Sequence, residues 1–70
     1  MEAYKERMKN ELKDLEEKVN KLSVIITGYY NGSLDFELSC PIYLLERQLA
    51  TMREYLKILY ARAQIEGIKL

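Results

Sequence analysis

Two apolar stripes, each advancing in alternating steps of four and three residues, constrain this chain more than anything else in it. Met8, Leu12, Leu15, Val19, Leu22 and Ile26 make the first, and Leu45, Leu49, Met52, Leu56, Leu59 and Ala63 make the second. That spacing keeps a side chain on one face of an α-helix, and sustained over several turns it is a heptad seam. Between the stripes the pattern breaks at Thr27-Gly28 and Asn31-Gly32-Ser33, residues that favour turns. The sequence therefore predicts an all-α fold, an antiparallel two-helix hairpin.

The first helix is expected over residues 2–26 and the second over residues 41–66, joined by an irregular 14-residue connector at 27–40. Together they make a single domain over residues 1–70. Pro41 suits the first turn of a helix, with Ser39 or Cys40 as the N-cap, and Gly67 ends it. The two helices come out similar in length, on the order of 37 Å each. Within the connector Leu34, Phe36 and Leu38 alternate with Asp35, Glu37 and Ser39, a weak strand pattern. A short β-hairpin pairing residues 24–30 with 33–39 is the alternative there. Two uncovered strands are marginal on their own, so an ordered connector that drops Phe36 and Leu38 onto the hairpin end is preferred.

The second helix carries more apolar surface than one partner helix covers. Beside its seam runs another row at spacing seven, Leu44, Thr51, Ile58 and Ile65. An arc that wide, left bare, marks an interface. A chain of 70 residues with one cysteine and no histidine also has neither a disulfide nor a closed zinc site to stabilise it. A homo-oligomer assembled through helix 2 is therefore expected, with Leu44, Leu45, Leu49, Met52, Leu56, Ile58, Leu59 and Ile65 at the interface.

Gln48, Tyr55 and Arg62, again seven apart, fall between the two rows of helix 2. Polar groups inside an apolar arc must find partners. In one reading they fix register and pair between subunits. In the other they gather around a ligand, with Tyr55 stacking on a flat ring and Arg62 meeting an anion. Tyr29 and Tyr30 either pack on the helix end or join such a site. Cys40 has Asp35, Glu37 and Glu46 nearby in sequence rather than a base, so it reads as a small residue near the cap and not a reactive thiol.

Several function classes fall away. Eleven basic and eleven acidic residues cancel overall, six against six in residues 1–22 and five against five in residues 23–70. A DNA- or RNA-binding protein normally carries a basic face, so no nucleic-acid partner is expected. No apolar run is long enough to span a membrane, and the charged N-terminus has no signal-peptide core. These features and the lone cysteine suggest the cytoplasm. Without histidine there is no Ser-His or Cys-His pair, and Gly28, Gly32 and Gly67 are too scattered for a phosphate loop. No enzyme activity, metal or cofactor is expected.

The stretch Phe36-Glu37-Leu38-Ser39, followed by Leu44-Leu45, Gln48-Leu49, Met52, Tyr55-Leu56, Leu59 and Arg62, resembles a family of small phage and prophage proteins first labelled from a crAss-like phage. The likeness covers residues 36–62, and helix 1 by composition. The chain departs from it in the Tyr-Tyr-Asn-Gly connector and at Cys40-Pro41. The resemblance implies a phage protein acting in the host cell. In architecture the chain is similar to phage counter-defence hairpins that assemble and sequester cyclic-nucleotide immune signals. Two functions follow as expectations. One is an oligomeric sponge for nucleotides or other small anionic ligands. The other is an inhibitor or adaptor that lays the apolar face of helix 2 on a host protein.

Overall fold

The structure of the chain, a computed structural model, describes residues 2–69. Met1 and Leu70, the two ends of the expected domain, lie outside the described residues. Two helices, α1 (Glu2–Asn31) and α2 (Ile42–Ile65), pack against each other as a hairpin, with no strand among the described residues. The expected all-α hairpin is what forms, and the alternative β-hairpin over 24–39 is not.

The two stripes make the core. Met8, Leu12, Leu15, Val19 and Leu22 of α1 are buried against Leu49, Leu59 and Ala63 of α2, with Ile26, Leu45, Met52 and Leu56 packed alongside. Leu59 and Ala63 are the most enclosed, with no exposed surface. Burying a leucine fully contributes about 1.5–3 kcal/mol, and this seam is where the hairpin gathers that stabilisation.

The helix boundaries differ from the sequence expectation, and the difference has a cause. Helix α1 runs five residues past 26, straight through Thr27-Gly28, so Tyr29 and Tyr30 are helical and the connector shortens to residues 32–41. Gly28 keeps helical backbone; its missing Cβ instead makes room for Leu34, whose Cδ2 would lie 3.1 Å from an added methyl. The stop is Gly32, at φ 71°. The Ser33 amide donates to the Gly28 carbonyl at 2.8 Å and the Gly32 amide to Tyr29 at 3.2 Å, which is a Schellman cap.

Helix α2 ends in the same motif. Gly67 sits at φ 70°. The Ile68 amide bonds the Ala63 carbonyl at 2.8 Å and the Gly67 amide bonds Gln64 at 3.4 Å. Ile68 then folds back into the core, the apolar contact that accompanies this cap. At its other end α2 starts one residue later than expected. Pro41 itself is the N-cap and no side chain caps the helix, so neither Ser39 nor Cys40 takes that role. The helices are not matched, at 30 and 24 residues, and the molecule's 45 Å length is about that of α1 alone.

Candidate functional site

With the two seams facing, the antiparallel hairpin has two long edges where α1 and α2 side chains meet. One edge brings together Tyr4, Glu11 and Lys18 of α1, at spacing seven, with Gln48, Tyr55 and Arg62 of α2. The other carries Glu16 and Tyr30 opposite Glu46 and Tyr60.

Tyrosine–glutamate hydrogen bonds tie both edges. On the first, Tyr55 donates its hydroxyl to Glu11 at 2.5 Å, and Tyr4 donates to Glu66. On the second, Tyr60 donates to Glu16, and Tyr30 to Glu46 at 2.8 Å. The carboxylate acceptors raise the pKa of Tyr55, Tyr60 and Tyr30, because each hydrogen bond needs the phenol to keep its proton. These four ties were not read from the sequence. The signal was available: tyrosines and glutamates occupy positions flanking the seams, where antiparallel helices exchange side chains.

Arg62 closes the end of the first edge. Its Nε lies 3.2 Å from Glu66, and a terminal nitrogen donates to the Tyr4 hydroxyl at 2.9 Å. These bonds to Glu66 and Tyr4 raise the guanidinium pKa further. The Tyr4 hydroxyl, then Arg62, hold the Glu66 carboxyl below its ordinary value, against some desolvation. The Arg62 side chain is nonetheless about half exposed and keeps donors free for a ligand.

Beside Tyr55 lies an open groove of about 490 Å³, lined by Arg7, Asn10, Glu11, Asp14, Leu15 and Lys18. It continues past Glu11 and Arg7 into a smaller hollow of about 210 Å³ that Tyr4, Met8 and Arg62 complete. Two aromatic rings and three cations thus share one edge with three acidic side chains, Glu11, Asp14 and the Glu66 that Arg62 already pairs with. Gln48 is exposed on the same edge.

The structure brings Gln48, Tyr55 and Arg62 to one edge but leaves Tyr29 and Tyr30 elsewhere. Tyr30 is committed to Glu46 on the opposite edge, and the two rings meet edge to face at 5.3 Å. Tyr29 lines a second groove of about 440 Å³ with Phe36, Leu38, Cys40 and Ile42 at the connector end. Glu37 is the only charged residue there, so that groove offers an anion nothing.

The residues expected at an oligomer interface separate into two sets. Leu49 and Leu59 are buried inside the hairpin, and Leu45, Met52 and Leu56 pack on its core. Leu44 and Ile58 are about half exposed, and Ile65 is 85% exposed. This second set presents the most surface to another molecule, and Leu45, Met52 and Leu56 remain partly exposed. Among the described residues no cluster of side chains could hold a metal ion, and no helix is long and apolar enough to cross a membrane.

No curated protein and no solved structure matches the chain. The Sequestin family model matches residues 2–65, which take in both helices and the connector, and the chain belongs to the Sequestin family.

Proposed function

We propose that this chain is a phage counter-defence protein that works in the host cytoplasm as an oligomeric, non-catalytic sponge, capturing nucleotide immune signals. The family's name supports capture of a ligand. The observation that carries the nucleotide reading is the edge where Tyr55 lines a groove with Arg7 and Lys18, and Arg62, two turns on, lines the adjoining hollow with Arg7. A tyrosine ring offers a base a stacking surface, and a guanidinium offers a phosphate paired donors.

Glu11 and Asp14 in the groove limit how much negative charge can enter. A ligand with one or two phosphates fits that balance better than a polyanion. Capture without turnover is consistent with the chemistry on this edge. A tyrosine is already protonated at neutral pH and the bond to Glu11 raises its pKa further, so Tyr55 presents no phenolate nucleophile, and no histidine exists to act as a base.

The test is binding of cyclic di- and trinucleotides, followed by recovery of the ligand. A fixed stoichiometry is expected, with the nucleotide recovered intact. Arg62→Gln and Tyr55→Ala should each weaken binding roughly tenfold or more while the helical circular-dichroism signal persists. If both variants simply unfold, the row holds the hairpin together and the nucleotide reading loses its support.

A further inference from the structure

Leu44, Thr51, Ile58 and Ile65 form a straight row along α2 that α1 does not cover. Thr51 fits an apolar row, because its hydroxyl donates back to the Arg47 carbonyl at 2.9 Å and needs no outside partner. Arg47, Glu54 and Ala61 flank the row on one side, and Gln48, Tyr55 and Arg62 flank it on the other. Arg47 and Glu54 are exposed, and among the described residues neither takes part in an ion pair.

We propose that this row docks a second copy of the chain, with the two α2 helices antiparallel about a two-fold axis at Thr51. In that register Leu44 of one copy meets Ile58 of the other, and Thr51 meets its own counterpart at the axis. Arg47 then faces Glu54 of the second copy, and symmetry repeats the pair. Gln48 comes beside Tyr55 of the second copy. Ile65 reaches past the paired segment to the other connector, where Phe36 is exposed.

Charge selects this register. A parallel pair crosses the two flanks, setting Arg47 beside Gln48 and Glu54 beside Tyr55 of the other copy, so it forms no ion pair. An antiparallel pair shifted by one heptad, with Leu44 on Ile65, sets Glu54 on Glu54 at the axis. Like charges brought together at an interface are strongly disfavoured, and the Thr51 register alone joins opposite signs. It is also isologous, so one patch serves both copies. The second copy covers apolar surface that a two-helix chain of this size cannot cover by itself.

This pairing rests on the oligomeric part of the function proposed above. It places the Tyr55 edge of each copy against the interface, so both grooves open on the same side of the dimer. It is tested without ligand, so its failure and the failure of nucleotide capture are separate results.

The experiment uses the full chain in a Cys40→Ser background. Thr51→Cys should form a disulfide-linked dimer on mild oxidation, while Ala61→Cys should not. In sedimentation, Arg47→Glu and Glu54→Arg should each weaken the dimer roughly tenfold or more. The double variant, which exchanges the two charges, should restore it. A wild-type monomer at about 100 µM overturns the proposal. So does a double variant as weak as the singles, or oxidation of Thr51→Cys no more complete than that of Ala61→Cys.

Discussion

Tyr55 of α2 donates a hydroxyl hydrogen bond to Glu11 of α1, a residue 44 positions earlier in the chain. On the other edge Tyr60 does the same with Glu16, at the same separation in sequence. The hairpin is thus tied on both sides of its seam by one chemistry. On one side that chemistry also lines the groove in which a ligand would sit.

Removing a single hydroxyl should loosen the hairpin without dismantling it. Tyr55→Phe and Tyr60→Phe are each expected to lower the Tm by a few degrees. The two ties share no partner, so the double variant should lower it by about the sum. Thermal melts of the three variants check this, and a double variant no worse than either single would show the ties to be coupled.

Alkaline pH should act on the same bonds. The pKa values of Tyr30, Tyr55 and Tyr60 are raised on folding, so their contribution is fully present below the ordinary tyrosine value of about 10. It is lost as pH rises through the higher folded values. Titration of tyrosinate absorbance should show a late-ionising fraction, and Glu11→Gln should move part of it back toward the ordinary range. Helicity should fall over the same pH interval.

The core should be sensitive at its centre. Leu59 is completely buried, so Leu59→Ala is expected to cost about 2–5 kcal/mol. For a domain this small such a loss approaches the whole stability. Chemical denaturation should show the midpoint collapse, whereas Ile58→Ala, one residue away and half exposed, should leave the monomer's fold intact.

The two glycines near the turn should behave differently. Gly32 adopts a left-handed backbone with open space around it, so Gly32→Ala is strained and should destabilise by about 1 kcal/mol. Gly28 is helical, so Gly28→Ala gains helix propensity but presses on Leu34. Pairing Gly28→Ala with Leu34→Ala should relieve that pressure and leave a more stable helix end than Gly28→Ala alone.

Most of the fold was legible because alternating four- and three-residue steps have one geometric meaning, and both seams pack as that spacing requires. The end of α1 was misread because Gly28 and Gly32 look alike in a sequence. Only the position of Leu34, set by the returning connector, shows that Gly28 makes room while Gly32 makes the turn. Gln48, Tyr55 and Arg62 were legible as a row but not as an edge. Their spacing says that they share a face, whereas the partners Glu11, Tyr4 and Glu66 follow from the register of the two helices. Tyr30 reads as part of the connector for the same reason as Gly28, and its bond to Glu46 depends on the five extra residues of α1.

Native mass spectrometry of the purified chain, alone and with a panel of cyclic di- and trinucleotides, tests the central claim most directly. An even-numbered assembly is expected, taking up a fixed number of nucleotides and releasing them chemically unchanged on denaturation. A chain that binds none of the panel, or one that returns the nucleotide cleaved, would contradict it.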